Sequence, residues 1–495
     1  MSGPSTSSRQ QVLRTLLPGF VGTELPDWVK RMLRDGLGGV CLFGENIVSP
    51  EQVRALTDAI RAANPDALIA IDEEGGDVTR LYYDRGAPYP GNAVLGRLDD
   101  REATRAVGRA VGAELRAVGV NLDFAPDVDI NSDPRNPVIG IRSFGTSADL
   151  VARHGAAWVD GLQAEGVAAS IKHFPGHGDT AQDSHLSLPT VDVSLETLHE
   201  RELRPFAAAI EAGALTVMTS HILLPQVDAE NPATFSARIL GGILRGELGF
   251  SGVVVSDALD MVGASGEIGI PAAAVRALAA GCDLLCIGTK NTEAQLEQIV
   301  AAVAEALGDG SLPVERLADA DERLRRLVRV LKETVTAAPT ASHSAPHHSS
   351  LDASALASIF RIDPSVDLAG PGWVVVRVDT VANIAVGEVP WGPFAAFGAR
   401  GPELPIVAVT EADWASPIGD IPEAASVLVV GKDNQRRAEV VRLIDSLRAR
   451  HERVVTVDMG WPGDDPSYAQ IATFGASALL GEALAQLLET EGVRA

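Results

Sequence analysis

Short apolar runs alternate with amphipathic stretches from about Pro18 to Val335, and eight such pairs follow one another. Each apolar run has the length of a buried strand, and each amphipathic stretch has the length of a helix. A repeated order of strand then helix is typical of an α/β protein with a (β/α)8 barrel. The strands are predicted to begin near Phe20, Gly39, Leu68, Val120, Ala168, Leu215, Gly252 and Asp283.

The spacing of apolar residues supports this interpretation. In two helices the apolar positions recur at 3.6-residue spacing, namely Leu296, Ile299, Val300, Val303 and Leu307 in one and Val107, Val111, Leu115 and Val118 in the other. The runs 253–255 and 284–287 show no polar alternation, as expected for parallel strands that are covered on both faces. An open doubly wound sheet usually has fewer strands in this length, so the barrel is the predicted fold.

A segment without apolar periodicity follows the barrel. Residues 336–350 read TAAPTASHSAPHHSS, a composition typical of a linker. We therefore predict a catalytic barrel over residues 1–336, a linker over 337–350 and a smaller domain over 351–495. His343, His347 and His348 lie in this linker without a cysteine or a spaced carboxylate, so no metal site is predicted there.

The last third of the chain again alternates strands with helices. Strands are predicted at Val374 to Val378, Val407 to Val409, Val427 to Val430 and Val454 to Val457, with a helix from Gln435 to Arg450. This pattern predicts a small α/β domain of sandwich or flavodoxin-like type. Gly431 follows a strand, but the G-x-G-x-x-G spacing of a dinucleotide site is missing, so no cofactor is predicted. The domain is expected to serve as a scaffold or to lend a loop to the barrel.

Composition narrows the function classes. The 495 residues are 46% apolar and 22% charged, which is enough to build globular cores. The formal net charge of −25 repels phosphate backbones and anionic lipid surfaces, so neither nucleic acid nor membrane is an expected partner. The three cysteines lie in apolar runs, and no signal peptide or membrane span is recognisable, so a cytoplasmic location is expected.

Polar residues cluster where the predicted barrel strands end, which is the face on which barrels of this kind place their active sites. Burying such groups unpaired costs several kcal/mol, so function or a paired network must compensate. The cluster comprises Asp72, Glu73 and Glu74 after the third strand, Asp123, Asp127 and Asp129 with Arg142 after the fourth, Lys172 and His173 after the fifth, His221 after the sixth, and Asp257 after the seventh.

The longest motif is KHFPGHGDTAQDSH, from Lys172 to His185. It resembles the β-N-acetylglucosaminidase branch of glycoside hydrolase family 3, in which this segment carries a sugar-binding Lys and His and then an Asp-x-His dyad. The matching motifs occur in the family's order over residues 71–261: IDEEGG from Ile71, NPVIGIRSFG from Asn136 and VVVSDALDM from Val253. The resemblance implies a two-domain bacterial type of this branch.

A retaining glycosidase needs a carboxylate nucleophile on one side of the anomeric carbon and a proton donor about 5 Å away on the other. Asp257, at the end of a buried strand, suits the first role. The resemblance assigns the proton transfer to His185, whose imidazole can donate and accept a proton near neutral pH. Asp183, two residues earlier, would orient that ring and stabilise the imidazolium. The alternative for Asp257 is a helix N-cap before Ala258.

The resemblance also implies a set of substrate-binding residues. Asp72, Arg142, Lys172 and His173 would bind hydroxyl groups of the terminal sugar, and His221 and Met261 would line the wall of the site. His177 is treated as a residue that shapes the loop or meets the edge of the sugar. Three positions depart from the common pattern, namely Glu73 in place of Gln, Asp77 in place of Arg and Ala258 in place of Asp; they bear on fine substrate preference.

These observations predict a retaining exo-β-N-acetylglucosaminidase that needs no metal or organic cofactor and removes terminal GlcNAc from cell-wall or chitin-derived oligosaccharides. Because an imidazolium does not repel an incoming phosphate as a carboxylate would, a phosphorylase that uses inorganic phosphate is the close alternative. A family 3 β-glucosidase is disfavoured, since those enzymes resemble SDW at the nucleophile and lack the DSH dyad. The last alternative is a sugar-sensing protein without catalysis. The oligomeric state is left open.

Overall fold

The computed structural model describes residues 6–182, 188–266, 268–337, 351–382, 385–399, 401–411 and 421–495. These residues form two compact units. The first unit takes residues from Met1–Glu74, Thr104–Ile139 and Thr146–His347, and the second takes residues from Gly75–Ala103, Gly140–Gly145 and His348–Ala495. The second unit thus includes two segments that precede the predicted linker. Residues 338–350 lie outside the described residues, and the boundaries proposed above stay predictions.

The first unit contains eight parallel strands. They are β1 (Leu16–Pro18), β2 (Gly39–Cys41), β3 (Leu68–Ile71), β4 (Leu122–Asp123), β5 (Ala168–Phe174), β6 (Thr216–Thr219), β7 (Val253–Ser256) and β8 (Leu284–Gly288). Their order is β1-β8-β7-β6-β5-β4-β3-β2, and β1 and β2 also lie side by side, so the sheet closes almost completely. The predicted (β/α)8 barrel is confirmed.

The strands of the second unit are β9 (Arg361–Ile362), β10 (Trp373–Val378), β11 (Ile406–Val409), β12 (Ser426–Gly431), β13 (Val454–Asp458) and β14 (Ile471–Ala472). The sheet has the order β11-β10-β12-β13-β14-β9, and β9 alone is antiparallel to its neighbour among the described strands. This is the predicted second α/β domain. The strands β9 and β14 have no counterpart in the prediction, since two-residue strands give no apolar run.

The described helices, in chain order, are α1 (Thr6–Arg14), α2 (Asp27–Arg34), α3 (Pro50–Ala63), α4 (Asn92–Leu98), α5 (Arg101–Ala117), α6 (Ala148–Ala164), α7 (Leu195–Thr197), α8 (Leu203–Glu211), α9 (Val262–Ser265), α10 (Ile270–Ala280), α11 (Glu293–Asp309), α12 (Val314–Ala337), α13 (Ala353–Ala357), α14 (Ala438–Arg448) and α15 (Ala478–Thr490). Two π-helical segments, Leu198–Glu202 and Arg238–Glu247, and several three-residue 3-10 turns also occur. No helix in the described part of the chain combines the length and apolar character that crossing a bilayer requires.

The predicted strand positions were close to the observed ones, because the apolar runs of the sequence form the buried core of the barrel. Apolar side chains such as Leu68 and Val255 are buried in one cluster, to which Leu324 and Leu327 of α12 also belong. Seven strands begin within two residues of the predicted positions. The first prediction was wrong by four residues, because Leu16 and Leu17 form the strand and Phe20 is a buried residue of the loop beyond it.

Each face of the second sheet has its own apolar core. One core contains Trp373 and Leu428 together with Leu484 of α15, and the other contains Val429 together with Leu443 of α14. Helices on both faces of a mostly parallel sheet give a three-layer sandwich. The helix predicted from Gln435 to Arg450 is shorter than expected, because a 3-10 turn at Asn434–Arg436 precedes α14.

Candidate active site

One lysine joins two carboxylates at the carboxyl ends of β3 and β5. The Nζ atom of Lys172 donates to Oδ1 of Asp72 and to Oε1 of Glu74, each at 2.8 Å. The side chains of Lys172 and Glu74 are almost fully buried, at 3% and 4% exposure, whereas that of Asp72 is 19% exposed. Asp72 is therefore the member of this trio that is best placed to meet a ligand hydroxyl.

A buried carboxyl group supports the end of β3 from the neighbouring strand. Oδ1 of Asp123 accepts a hydrogen bond from the backbone N–H of Glu73 at 2.9 Å. Burial raises the pKa of Asp123 well above its ordinary value, and the nearby charge of Glu73 adds to this effect. Asp123 thus acts as a structural brace between β3 and β4.

The second cluster is built around Asp129. Its Oδ2 atom lies 2.7 Å from Nδ1 of His173, and its Oδ1 atom accepts the backbone N–H of His177 at 2.7 Å. Burial alone would raise the pKa of Asp129, but the charge and hydrogen bonds of His173, together with those of His177, lower it below its ordinary value. A carboxylate at Asp129 in turn fixes Nδ1 of His173 as the protonated ring atom.

His177 connects this cluster to Asp257. Its ring lies 6.0 Å from that of His173, measured between ring centroids. Burial lowers the pKa of His177 to about 4, while the negative charges of Asp129 and Asp257 oppose that shift. The imidazole is therefore neutral at neutral pH, and the carboxylate of Asp257 lies within electrostatic reach of the loop after β5.

Asp257 directly follows β7 and is partly exposed. Its backbone N–H donates to Oγ1 of Thr219 at 3.4 Å, and its Oδ1 atom accepts the N–H of Ala258 at 2.7 Å. The next helix, α9, begins only at Val262, and its N-cap is Met261. Asp257 therefore does not cap a helix, which removes the structural alternative considered for this residue.

The remaining predicted residues have different surroundings. His221 is fully buried, and Met261 is 7% exposed. Arg142 is buried in a 3-10 turn of the second unit, Gly140–Arg142, where its carbonyl oxygen accepts a hydrogen bond from Nδ2 of Asn92 at 2.7 Å. Asp183 and His185 lie outside the described residues. The structure thus brings together Asp72, Lys172, His173 and Asp257 in one barrel, and the roles of all these residues stay predictions.

One group among the described residues has the spacing of a metal site. Ligand atoms of Asp127, Asp129 and His173 lie within 4.8 Å of one another. Nδ1 of His173, however, is at hydrogen-bond distance from Asp129, and the N–H of Asp129 donates to Oδ1 of Asp127 at 2.9 Å. We therefore interpret the trio as a hydrogen-bonded support for the His173 ring.

Several contributors to the site had no assigned role in the sequence interpretation. Glu74 and Asp129 were recognised as charged residues at the ends of strands, but the sequence does not tell which carboxylate contacts Lys172 or His173. Thr219 carried no signal at all, because a threonine at a strand end is unremarkable in a sequence. Only the pairing of neighbouring strands reveals its contact with Asp257.

Comparison with known proteins identifies the barrel. The family model described as the glycosyl hydrolase family 3 N terminal domain matches residues 21–327. Beta-hexosaminidase A of Pseudoalteromonas piscicida is 36% identical over 370 residues, which cover 69% of this chain and 62% of that protein. The beta-hexosaminidase of Stenotrophomonas maltophilia (strain R551-3) is 41% identical over 282 residues, covering 55% of this chain and 82% of that protein.

A solved structure is similar over both units. It is a glycoside hydrolase family 3 β-N-acetylglucosaminidase from Paenibacillus sp. str. FPU-7, with a TM-score of 0.84 and 31% sequence identity. The superposition covers 98% of this chain and 97% of that one. The similarity therefore extends beyond residue 327, where the match to the family model ends.

Proposed function

Because the chain belongs to glycoside hydrolase family 3, we propose that it is a retaining exo-β-N-acetylglucosaminidase. Its substrates would be cell-wall or chitin-derived oligosaccharides from which terminal, non-reducing GlcNAc is released. The names of the similar proteins, β-hexosaminidase and β-N-acetylglucosaminidase, support this substrate class. The aligned region spans about three fifths of the Pseudoalteromonas protein, so its name alone does not carry the proposal. The proposed activity therefore also rests on the residues of this chain.

The proposed reaction begins with attack of the Asp257 carboxylate on the anomeric carbon. The bond to the leaving oxygen breaks while a covalent glycosyl ester forms, and a proton passes to the departing oxygen. In the second step an activated water molecule attacks the same carbon and releases Asp257. A strand end is a suitable base for this residue, because a rigid element holds the attacking oxygen in place.

His185 is proposed as the group that donates the proton in the first step and removes one from water in the second. Asp183 would hold its Nδ1 and stabilise the imidazolium form. This assignment rests on the family's Asp-x-His motif at residues 183–185. His177 is a poorer candidate, since a pKa of about 4 leaves its ring neutral at neutral pH, without the acidic proton of an imidazolium.

Recognition of the sugar is proposed for Asp72, Lys172 and His173, and the role of Arg142 stays a prediction from the family motif. Asp72 and Lys172 form a partly buried ion pair, and His173 is oriented by Asp129. Charged groups that bond hydroxyls discriminate strongly, because a ligand without the matching hydroxyl leaves a buried polar group unsatisfied. His221 and Met261 stay predictions as wall residues, as does the cytoplasmic location.

The observation that carries the proposal is the convergence of Asp257, His177 and the Asp129–His173 pair at one end of the barrel. The test is turnover of an aryl β-N-acetylglucosaminide by the full chain, with and without inorganic phosphate. We expect free GlcNAc in both conditions and none with Asp257→Ala. Release of N-acetylglucosamine 1-phosphate only when phosphate is present would identify a phosphorylase, and no release in either condition would contradict an enzymatic role.

A further inference from the structure

Three buried side chains form a continuous hydrogen-bonded chain behind Asp257. They are Thr219 at the end of β6 and Thr234 and His221 in the loop that follows, and all three have 0% exposure. Oγ1 of Thr219 lies 2.8 Å from Oγ1 of Thr234, which lies 2.9 Å from Nδ1 of His221. Nε2 of His221 lies 3.0 Å from the carbonyl oxygen of Ala258. We call these residues the Thr219–Thr234–His221 chain.

The backbone groups at the two ends of the chain are compatible with one direction of hydrogen bonding through it. The carbonyl oxygen of Ala258 can only accept, so Nε2 of His221 carries a hydrogen. In the ring tautomer with its hydrogen on Nε2, Nδ1 accepts from the hydroxyl of Thr234, whose single hydrogen also has the carbonyl oxygen of Ser220 within reach at 2.9 Å. Oγ1 of Thr234 can in turn accept from the hydroxyl of Thr219. Oγ1 of Thr219 is left to accept the N–H of Asp257, at 3.4 Å. Each donor of the chain thus has an acceptor, and the hydroxyl of Thr234 has two, Nδ1 of His221 and the carbonyl oxygen of Ser220.

This arrangement holds the backbone on both sides of the Asp257 side chain. One end of the chain binds the N–H of Asp257, and the other end binds the carbonyl of Ala258. We infer that Thr234 and His221 are positioning residues that fix the carboxylate of Asp257 for attack. The inference rests on the proposed role of Asp257 as nucleophile, and it deepens that proposal.

The surroundings of His221 favour this role over contact with substrate. Both ring nitrogens lie within hydrogen-bond distance of protein atoms, and the residue has no exposed surface. A buried network of this kind is rigid when every member is satisfied, because an unpaired polar group in the interior is costly. Loss of one hydroxyl should therefore loosen the attacking group without changing the sugar-binding surface.

A pair of substitutions at Thr234 separates the hydroxyl from the packing. Thr234→Val keeps the shape of the side chain and removes the hydroxyl, whereas Thr234→Ser keeps the hydroxyl and removes the methyl group. We expect kcat on an aryl β-N-acetylglucosaminide to fall about 10- to 100-fold in Thr234→Val, with KM changed by less than about twofold. Thr234→Ser should stay within about threefold of wild type. The reverse order would show a packing role and overturn the inference.

Thr216→Val is the matched control. Thr216 is also fully buried on β6, but its hydroxyl donates to the carbonyl of Ala169 at 3.0 Å. This variant loses one buried hydrogen bond on the same strand without touching the Thr219–Thr234–His221 chain, so its kcat should remain close to that of wild type. An equal loss of kcat in Thr216→Val and Thr234→Val would indicate general destabilisation and contradict the inference.

Two further readouts keep the test decisive. Since Asp257 attacks whatever group departs, the loss in Thr234→Val should be equal for aryl glycosides with good and poor leaving groups.

If Thr234→Val does not fold, His221→Gln and His221→Leu replace it. Glutamine can donate a hydrogen bond to the carbonyl of Ala258, and leucine cannot. Equal activity of these two variants would contradict the inference. A wild-type chain without turnover would contradict the proposed function, whereas an active wild type with an unimpaired Thr234→Val would contradict only the positioning role.

Discussion

Asp129 holds the ring of His173 by a contact of 2.7 Å between Oδ2 and Nδ1, inside the barrel and beside Lys172. The charge of Asp129 keeps Nδ1 protonated, which leaves Nε2 as the ring atom suited to a sugar hydroxyl. The same carboxylate also receives the N–H of His177, so one side chain orders two histidines of the loop.

Asp129→Asn should therefore impair catalysis more than its small change in shape suggests. The amide has no charge to favour the Nδ1 proton, and only its oxygen can accept, so it cannot serve both Nδ1–H of His173 and the N–H of His177. We expect kcat/KM on an aryl β-N-acetylglucosaminide to fall about 10- to 100-fold, and the free energy of unfolding to fall by about 1–3 kcal/mol. Steady-state kinetics and urea unfolding measure the two effects; wild-type kinetics in this variant would argue against an ordering role.

Lys172→Met should be strongly destabilising. The substitution leaves the carboxylates of Asp72 and Glu74 near each other without their shared cation, and Glu74 is almost fully buried. Removing one partner from a buried ion pair costs about 3–5 kcal/mol. Chemical unfolding measures this loss, and activity should fall with it if Lys172 and Asp72 bind the sugar.

Lys332→Met provides the control for that measurement. Lys332 pairs with Asp66 on the surface, where both side chains are more than half exposed. An exposed pair contributes less than about 1 kcal/mol, so this variant should unfold nearly like wild type. Similar losses in Lys172→Met and Lys332→Met would contradict the account of the buried trio.

The loss of activity should depend on the leaving group of the substrate in His185→Ala and not in Asp257→Ala. Without a nucleophile, Asp257→Ala should lose activity on every substrate by at least about 1000-fold. His185→Ala should mainly slow substrates with poor leaving groups, because activated aryl groups depart without a proton. Rates on a series of aryl β-N-acetylglucosaminides distinguish the two. An equal loss in His185→Ala on activated and natural substrates would refute the acid role.

Glu202→Gln should flatten the dependence of stability on pH. Glu202 is 1% exposed beside the loop at Gly176, and burial raises its pKa from 4.5 to about 7 although Arg201 opposes the shift. The folded state thus binds the proton more tightly than the unfolded state. Its contribution to stability is complete below about pH 4.5 and is lost as the pH rises through 7, by about 3 kcal/mol in all.

Urea unfolding at pH 5 and pH 8 measures this effect. The wild-type chain should lose more stability between the two conditions than Glu202→Gln, whose amide does not titrate. Glu333→Gln, on the exposed face of α12, is the matched control and should follow the wild type. Parallel pH profiles for wild type and Glu202→Gln would show that Glu202 is ionised in the folded protein.

The fold was predictable because its signals are local. Continuous apolar runs such as Val253–Val255 become strands that are buried on both faces, and a charged residue directly after such a run marks the carboxyl end of the strand. That argument located Asp72, Lys172 and Asp257 at one end of the barrel. It missed β1 by four residues, because Leu16 and Leu17 form a run too short to stand out.

The pairing of side chains was not predictable, because it depends on contacts between strands that are far apart in sequence. Asp123, Asp127 and Asp129 look alike after β4, yet Asp123 braces β3 and Asp129 orients His173. Thr234 has no sequence signal, and its proposed role depends only on the position of the loop after β6. Such residues can be recognised only from the structure.

The stereochemistry of hydrolysis tests the central claim most directly. Proton NMR of the full chain acting on an aryl β-N-acetylglucosaminide, in buffer without phosphate, would identify the anomer that is released first. A double displacement through Asp257 predicts that β-GlcNAc forms first and then equilibrates with the α anomer. Initial release of α-GlcNAc, or no release at all, would contradict the proposed retaining β-N-acetylglucosaminidase.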